Sequence, residues 1–380
     1  MDSFQYSFKL KSETDQGSKV YSFETADGVA SKEGFRKAEL LLADTVETGE
    51  EEDLLVLYPG YGFLGVIFAD YTPEGKTVLA ESSDRAHKIT KHNLKLNDIE
   101  NTQSKKISSP KDIEQSFDKV LYAPKPYANT DIVKNNLTEA INLLEEDGEL
   151  YLASSKKEGL NRYKDWLKQF DGELDKINSR DGYHVYRYSK QGEIEDRKVD
   201  VERSFEAEIN GVKANFETVE GLFSPTSLDK GSRLLIENIE ADSGDKVWDV
   251  ACGYGAIGIF LKKLYDPEIY FSDNNLKAVK QTGRNLQLNE IEKYSLEHAD
   301  CLDTFEGKKF DKIVSNPPTH QGKGITDEIF QNSYQRLRKG GELYIVYNQN
   351  MNYEQQLEQI FKKVEILEKK DNYAVTRATK

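Results

Sequence analysis

Asn316 lies in the segment SNPP (315–318), directly after the apolar run FDKIVS (310–315). Proline has no backbone N–H and stiffens the chain, so Pro317 and Pro318 predict a rigid turn where a buried strand ends. An exocyclic base amine is a poor nucleophile because its lone pair is delocalised. The Asn316 side-chain oxygen and the Pro317 carbonyl can accept both hydrogens of such an amine in a fixed geometry. We interpret the turn as a catalytic site that presents a nitrogen to an electrophile; the alternative is an ordinary Pro-Pro turn.

Gly253, Gly255 and Gly258 form the pattern G-x-G-x-x-G after a predicted strand and at a predicted helix start. Such glycines allow a tight turn, close approach of the backbone to a ligand, and close helix–strand packing. Asp273 follows at the end of the next predicted strand, where a carboxylate can accept hydrogen bonds from two ribose hydroxyls. This pattern fits a dinucleotide dehydrogenase as well as an enzyme with an adenosyl cofactor.

Asp249, four residues before Gly253, separates these two possibilities. A dehydrogenase normally has an apolar residue there, because its pyrophosphate is anionic. A carboxylate instead suits a cofactor with an ammonium group, and S-adenosylmethionine has an ammonium and no phosphate. The alternatives are that Asp249 caps a neighbouring turn and that Asp273 caps a helix N-terminus.

Strands and helices alternate along the second half of the chain, which predicts an α/β fold with a mostly parallel, doubly wound sheet. Asn210-Gly211 predicts a hairpin turn before this core, and Gly340-Gly341 predicts the end of the last long helix. Ligands of such sheets bind outside the carboxyl ends of the strands. We therefore expect Asp249, Gly253, Asp273 and Asn316 to lie around one crevice. The predicted strands are 246–251, 268–273, 310–315 and 342–347, the helices 255–265, 275–289 and 326–339, and the terminal hairpin 364–378.

The chain is a degenerate tandem repeat. LYPGYGFLGV (57–66) matches VACGYGAIGI (250–259), FDKVLYAPKP (117–126) matches FDKIVSNPPT (310–319), and DGELYLASSK (147–156) matches GGELYIVYNQ (340–349). All three pairs are 193 residues apart. Ordered matches at one spacing indicate two copies of one fold, joined by the charged linker 189–202.

The composition limits the class of protein. The 380 residues carry a net charge of −15, so an RNA partner needs a local basic patch. There is no apolar run long enough to span a membrane, no secretory signal, and no zinc or disulfide pattern from two cysteines, so we expect a cytoplasmic protein without a metal. The basic residues that we expect near the site are Lys308, Lys309, Lys312, Lys323, Arg336, Arg338 and Lys339.

The segments DVACGYGAIGIFL, FSDNN and SNPPTHQG resemble the class I S-adenosylmethionine-dependent methyltransferases with an Asn-Pro-Pro motif. With the duplication and the upstream segment GLFSPTSLDKGSRLLIENI (221–239), the whole chain is similar to the duplicated ribosomal RNA guanine-N2 methyltransferases, the family of small-subunit methyltransferase C and large-subunit methyltransferase G. The resemblance implies two tandem Rossmann-like domains: a degenerate methyltransferase-like domain at 1–190 and a catalytic domain at 200–380.

The resemblance also implies roles for individual residues. Asn316 and Pro317 would bind the target amine and catalyse its methylation. Two departures from the family pattern are Ala251, where a glycine is usual, and Thr319, where an aromatic residue often stacks on the base. The implied cofactor residues are Asp249, Ala251, Gly253, Gly255, Asp273, Asn274, Asp300, Cys301 and Asn316, and the implied substrate residues are Pro318, Thr319 and His320, with Phe223 as a further contact.

The first copy lacks the chemical groups of the second. Val56 occupies the position of Asp249, and Ala123 that of Asn316, whereas the glycine loop remains and Asp84 is a plausible ribose acid. We therefore hypothesise that residues 1–190 do not catalyse.

The expected function is S-adenosylmethionine-dependent methylation of the exocyclic N2 amine of a guanine in ribosomal RNA, naked or in an assembling particle. The alternatives are methylation of a protein glutamine or of an adenine amine, and a non-catalytic RNA-binding scaffold. The sequence leaves the oligomeric state open.

Overall fold

The chain folds into two compact units, Met1–Val201 (unit 1) and Glu202–Lys380 (unit 2). This computed structural model describes residues 4–14, 17–126, 128–192, 199, 201–301, 303–318 and 323–380. In those ranges, no helix has both the length and the apolar character that crossing a membrane requires.

Unit 1 begins with an antiparallel hairpin and continues as an alternating α/β domain. Its seven-stranded sheet has the order β5-β4-β3-β6-β7-β9-β8, in which the first five strands are parallel and β9 is antiparallel to both of its neighbours. In chain order, the elements are β1 Tyr6–Thr14, β2 Gly17–Thr25, α1 Lys37–Ala43, β3 Leu54–Leu57, α2 Phe63–Tyr71, β4 Thr77–Glu81, α3 Asp84–Leu96, β5 Thr102–Lys106, β6 Phe117–Tyr122, α4 Thr130–Asn142, β7 Leu144–Ser155, α5 Leu160–Leu167, β8 Gly172–Arg180 and β9 Tyr183–Lys190, with short 3-10 helices at Pro110–Asp112 and Lys156–Glu158.

Unit 2 repeats this plan. Its sheet has the order β14-β13-β12-β15-β16-β18-β17, again with five parallel strands followed by an antiparallel pair. The elements are β10 Glu202–Ile209, β11 Val212–Val219, α6 Lys230–Glu237, β12 Lys246–Val250, α7 Ala256–Tyr265, β13 Glu268–Asp273, α8 Leu276–Leu288, β14 Tyr294–His298, β15 Phe310–Ser315, α9 Lys323–Arg336, β16 Leu337–Asn348, α10 Tyr353–Glu358, β17 Lys363–Lys370 and β18 Tyr373–Thr379.

Apolar cores cover both faces of each sheet, as a parallel sheet requires. In unit 2, one core joins β12 and β13 to α6, α7 and the β10–β11 hairpin, and the core of the opposite face contains residues of α9 and α10. Unit 1 has the same two layers. The predicted tandem of Rossmann-like domains with mostly parallel sheets is therefore confirmed.

In each unit, one asparagine side chain hydrogen-bonds the first hairpin to the α/β core. We call these contacts, made by Asn93 in unit 1 and Asn285 in unit 2, the asparagine clasp. In unit 2, Asn285 accepts from the backbone N–H of Glu217 and donates to the carbonyls of Glu217 and Tyr254, at 2.8–2.9 Å. In unit 1, Asn93 makes the same three bonds with Glu24 and Tyr61. A side-chain amide can imitate a neighbouring strand because it carries one acceptor and two donors.

Two predictions about turns have opposite outcomes. Gly340 and Gly341 do not end a helix, and that prediction is wrong: α9 ends at Arg336, and both glycines lie in β16, where Gly340 has a φ of +80°. The predicted hairpin turn at Asn210-Gly211 is confirmed, since both residues have positive φ angles of 51° and 78°.

Candidate active site

The carboxyl ends of β12, β13 and β15 lie side by side in unit 2. Asp249 in β12 is opposite Phe271 of β13 on one side and Val314 of β15 on the other. The Ser315 hydroxyl donates to the carbonyl of Val250 over 2.8 Å and so ties the ends of two of these strands together. The glycine loop, the β13 acid and the Asn-Pro-Pro turn therefore all begin at one edge of the sheet.

The glycine loop between β12 and α7 uses left-handed backbone conformations. Ala251, Gly253 and Gly255 have φ angles of +57°, +60° and +88°. A Cβ on Gly255 would lie 2.9 Å from Thr282 Cγ2, so that position needs glycine for space as well as for conformation. A Cβ on Gly253 would meet no heavy atom within 4 Å, so the loop is open on that side. This open side is where a ligand can approach the backbone.

Asp249 is fully buried, and within the described ranges only one of its two carboxylate oxygens has a hydrogen-bond partner. Oδ2 accepts from the backbone N–H of Gly258 in α7 over 2.9 Å, whereas Oδ1 has no hydrogen-bond partner among the described residues. The pKa of Asp249 is raised to about 8: burial is the largest cause, the Gly258 N–H opposes it, and the nearby Asp273 carboxylate adds to it. A buried carboxylate oxygen without a donor fits a cationic group, which would favour the ionised form.

Asp273 closes the end of β13 over the glycine loop. Its Oδ2 accepts from the backbone N–H of Gly253 at 2.9 Å, and its Oδ1 accepts from the N–H of Asn275 at 2.8 Å. Burial raises its pKa to about 6, and both backbone bonds oppose the rise. Asn275, not Asp273, caps α8, because its side chain accepts from Lys277 N. Each oxygen of an ionised carboxylate has two lone pairs, so Asp273 can still accept from a ligand hydroxyl.

Three further residues that were expected near the cofactor follow β13 and β14. The carbonyl of Asn274 accepts from the His298 ring over 2.9 Å. Asp300 is buried, and its carbonyl accepts from Asp303 N. Cys301, with a φ of +46°, packs against the core on the α9 side of the sheet.

The Asn316 side chain is held by two residues at the start of α6. Its Nδ2 donates to Asp229 Oδ2 over 3.1 Å and to Ser232 Oγ over 3.0 Å. Both amide hydrogens are therefore committed, and Oδ1 points away from α6 because the two amide atoms lie on opposite sides of Cγ. Asp249 contacts α7 and Asn316 contacts the start of α6, and both helices cover the same face of the sheet. The two side chains are therefore on one face.

Asp229 is a site residue that was not expected from the sequence. Its Oδ2 also accepts from Ser232 N over 2.8 Å, so the same atom caps α6. A Cβ on Gly231 would lie 2.9 Å from the Tyr373 ring, so a larger residue would not fit there. The available signal was the sequence DKGS (229–232), an aspartate shortly before the apolar residues Leu234, Leu235 and Ile236. That signal reveals a cap but not the distant residue that the cap also holds.

The remaining expected residues differ in what can be said of them. Pro317 is buried and Pro318 is partly exposed. Thr319 and His320 lie outside the described residues. Phe223 is 59% exposed in the segment that leads to Asp229.

Six of the seven basic residues that were expected near the site are at the opposite edge of the sheet. The seventh, Lys323, is the first residue of α9, and its side chain lies outside the described part of the chain. Lys309 precedes β15 and Lys312 lies near its start, whereas Asn316 follows its end. Lys339 lies near the start of β16, which runs parallel to β15. Several of these cations also have partners inside unit 2: Lys312 pairs with Asp245 and Glu342, and Arg338 with Asp311. Lys308, Lys309, Lys312, Arg336, Arg338 and Lys339 are therefore excluded from the carboxyl-end site.

Unit 1 keeps the shape of the glycine loop. Tyr58, Gly60 and Gly62 have φ angles of +54°, +66° and +93°, close to those of Ala251, Gly253 and Gly255. The acid at the end of β4 is Glu81, which accepts from the N–H groups of Gly60, Ser82 and Ser83. Asp84, the acid that we expected there, instead pairs with Lys88 and Lys106. Val56 and Ala123, at the positions of Asp249 and Asn316, are buried and apolar.

Similar proteins are found for parts of the chain and for the whole. The Aeromonas hydrophila ribosomal RNA large subunit methyltransferase G is 33% identical over 167 residues, which are 42% of this chain and 44% of that protein. The chain therefore matches less than half the length of this relative. The Bacillus subtilis uncharacterized protein YbxB is 33% identical over 171 residues, which are 43% of this chain and 85% of that protein.

A solved structure matches nearly the whole length of the chain. The T. thermophilus 16S rRNA N2 methyltransferase RsmC, determined in complex with AdoMet and guanosine, superposes with a TM-score of 0.82. Its sequence is 26% identical, and the match covers 98% of each chain.

The methyltransferase small domain profile matches twice, once in each unit, at residues 20–187 and 213–377. These two matches include the glycine loop, the acid that follows it and the strand-end turn of each copy. The chain therefore belongs to the methyltransferase small domain family.

Proposed function

We propose that unit 2 transfers a methyl group from S-adenosylmethionine to the exocyclic N2 amine of a guanine in ribosomal RNA. In this proposal, residues 200–380 form the catalytic domain and residues 1–190 a degenerate copy without catalysis. The observation that carries the proposal is the fixed orientation of Asn316, whose two amide hydrogens are taken by Asp229 and Ser232. An amide held in this way can only accept through Oδ1.

The residues around the glycine loop fit S-adenosylmethionine. Asp249 Oδ1 is a buried carboxylate oxygen without a donor among the described residues, which suits the ammonium of the cofactor. The open side of Gly253 leaves room for close approach to the backbone, and Asp273 would bind the ribose hydroxyls. When bound, the cofactor supplies an electrophilic methyl group on a sulfonium, and the accepting amine afterwards loses one proton to solvent.

Asn316 and Pro317 orient the amine. The Asn316 Oδ1 and the Pro317 carbonyl accept one amine hydrogen each, which turns the nitrogen lone pair toward the electrophile. Asp229 and Ser232 hold the Asn316 amide in this orientation before substrate arrives, so little reorganisation is needed during the reaction. Holding two reactants in line can lower a barrier by roughly 7–11 kcal/mol. A strong base is unnecessary, because the proton leaves only after the nitrogen has become cationic.

Ribosomal RNA is the substrate that the similar proteins support. The large-subunit methyltransferase G of Aeromonas hydrophila and the 16S rRNA N2 methyltransferase of T. thermophilus carry this substrate in their names, and the latter covers both units. We therefore propose that the partner of this chain is ribosomal RNA, naked or in an assembling ribosomal particle, in the cytoplasm.

Labelled methyl transfer tests the proposal directly. Ribosomal RNA from cells that lack the protein is incubated with the protein and labelled cofactor, and its nucleosides are analysed by mass spectrometry. We expect N2-methylguanosine from the wild type and none from Asn316→Ala. Asn135→Ala, at a partly exposed position of α4 in unit 1, is the matched control and should retain activity. Label in a protein or at an adenine amine would contradict the guanine assignment.

The dependence on salt separates RNA from other acceptors. Contacts with phosphate release counterions, so methylation of RNA should fall steeply as salt rises. A flat response would favour a protein or small-molecule acceptor.

A further inference from the structure

In unit 1, a buried arginine donates to the turn that corresponds to the Asn-Pro-Pro turn of the second copy. Arg36, only 9% exposed, donates from Nη1 to the carbonyl of Ala123 over 3.0 Å and from Nη2 to the carbonyl of Pro124. These two carbonyls belong to neighbouring residues directly after β6. The planar guanidinium therefore bridges them with two adjacent N–H donors.

Glu39 supplies the negative charge for this arginine. Its Oε1 lies 3.5 Å from Arg36 Nη1, and the two side chains are both more than nine-tenths buried. Burial raises the pKa of Glu39, although the Arg36 charge opposes the rise. Two carbonyls and one carboxyl thus surround the guanidinium, and we call this group the arginine slot (Arg36, Glu39, Ala123 and Pro124).

The arginine slot corresponds position by position to the candidate active site of unit 2. At the offset of 193 residues, Ala123 and Pro124 match Asn316 and Pro317, while Arg36 matches Asp229. The charge at this last position is reversed. In unit 2, the aspartate accepts from the side chain of the turn, whereas in unit 1 the arginine donates to the backbone of the turn.

The donors of Arg36 have the same arrangement as the edge of a guanine. Guanine presents N1–H and the N2 amine as adjacent donors in one plane, as a guanidinium does. Adenine presents its N6 amine beside an N1 acceptor, which would oppose the second carbonyl.

We propose that Arg36 is a tethered substitute for an amidine-bearing ligand, and that unit 1 retains a slot for planar amidines and guanidiniums that its own side chain closes. The slot in unit 1 does not rest on the proposed function of unit 2, where both hydrogens of a single amine would be bound.

A lysine of the same turn lies near the loop acid of unit 1. Lys125, directly after Pro124, places its ammonium 4.0 Å from Oε1 of Glu81. Glu81 binds the glycine loop of unit 1 in the way that Asp273 does in unit 2. In unit 1, the Arg36 guanidinium therefore binds the turn, and the Lys125 ammonium lies near the loop acid Glu81.

Removing the Arg36 side chain tests the slot by ligand rescue. We expect Arg36→Gly to have a lower melting temperature than the wild type. Methylguanidinium should then raise this temperature in a saturable manner, growing with the logarithm of its concentration above the dissociation constant. Methylammonium has the same charge but lacks the planar pair of donors, and it should give no such rise. Arg187→Gly, which removes a partly exposed arginine paired with Asp175 and Glu149, is the matched control and should respond to neither cation.

Equal effects of the two cations on Arg36→Gly, or an equal response of Arg187→Gly, would overturn the proposal. A second measurement covers the case in which Arg36→Gly does not fold. In the wild-type protein, nitrogen-15 spectra should show slow rotation of the Arg36 Nη groups and fast rotation for Arg187, and the slow signals should vanish in Arg36→Lys. Freely rotating Arg36 Nη groups would contradict the bridged geometry. Neither measurement involves methyl transfer, so failure of the slot and failure of the proposed function are distinguishable.

Discussion

The carboxylate of Asp229 lies 3.1 Å from the side-chain nitrogen of Asn316, although the two residues are 87 positions apart in sequence. The same carboxylate oxygen accepts from the backbone N–H of Ser232 and caps α6. The start of a helix and the Asn-Pro-Pro turn therefore share one hydrogen-bond acceptor, which fixes the direction of the Asn316 amide.

Asp229→Asn should slow methyl transfer more than it weakens cofactor binding. Asparagine is as good a helix cap as aspartate, so α6 should remain, but the charged acceptor for Asn316 is lost. Misplacement of a reacting group can cost about 100-fold in rate, and we expect a fall in kcat of this order. Steady-state kinetics gives kcat, and calorimetry gives the dissociation constant of the cofactor. Asp266→Asn, at an exposed ion pair with Lys262, is the control; an unchanged kcat in Asp229→Asn would refute the positioning role.

Asp249→Asn should weaken the dependence of stability on pH. Burial raises the pKa of Asp249 in the folded protein from 3.8 to about 8. Because the folded state binds this proton more tightly than the unfolded chain, the stabilisation is complete below the unfolded pKa and is lost as pH rises through the folded pKa. Between about pH 5 and 8, the unfolding free energy of the ligand-free wild type should fall more steeply than that of the variant, by at most about 1.4 kcal/mol per pH unit.

Urea unfolding at a series of pH values measures this difference. Parallel curves for the wild type and Asp249→Asn would mean that Asp249 does not hold its proton. Asp273, whose pKa is raised to about 6, also titrates in both proteins.

The sequence was sufficient to predict the parts of the site that obey local rules. The glycine loop after β12 and the acid at the end of β13 follow from glycine spacing and from the alternation of strands and helices. Asp229 could not be found in this way, because its partner Asn316 is near only in space. Asp84 was expected in place of Glu81, since two acids in one short segment of unit 1 satisfy the same pattern.

Two features of the fold could not be predicted from the local sequence. The edge strand β14 has no fully buried residue, so it lacks the apolar run that marks an inner strand. The glycine pair Gly340-Gly341 resembles the end of a helix, but β16 pairs with β15 on both sides of it, and both glycines exchange backbone hydrogen bonds with Lys380. Tertiary pairing overrode the local signal at both places.

Ala251→Gly should stabilise unit 2. Ala251 has a φ of +57°, a conformation that costs a residue with a Cβ about 1–2 kcal/mol, and part of this gain is offset by the greater entropy of glycine in the unfolded chain. We expect a net gain of up to about 1 kcal/mol by urea unfolding. Ala278→Gly, inside α8, should instead lose about 1 kcal/mol. A loss in both variants would contradict the strain at Ala251.

Cofactor should bind once per chain. Unit 1 has Val56 where unit 2 has Asp249, and Lys125 lies near its loop acid Glu81. Isothermal titration of the full chain with S-adenosylmethionine should therefore give one site, and Asp249→Asn should weaken it by about 10- to 100-fold, as expected for the loss of a hydrogen bond to a charged group. Two equivalent sites would show that unit 1 retains a functional pocket.

Phe223→Ala should impair the use of RNA. Phe223 is 59% exposed in the segment that leads to Asp229, and an exposed ring there can stack on a base. Base–aromatic stacking contributes about 1–3 kcal/mol, so we expect KM for RNA to rise with little change in kcat or in cofactor affinity. Leu288→Ala, which shortens another exposed apolar side chain at the end of α8, is the control. Equal kinetics for both variants would exclude Phe223 from the RNA contact.

The asparagine clasp shows that the two copies of this chain distinguish residues needed for folding from residues needed for chemistry. Asn93 and Asn285 make the same three bonds in the two copies, whereas the carboxylate of Asp249 and the amide of Asn316 exist in one copy only. After duplication, selection would keep the residues required for folding in both copies. It would keep the residues required for catalysis in only one copy. One chain thus serves as its own natural comparison, in which shared contacts mark architecture and unshared ones mark chemistry.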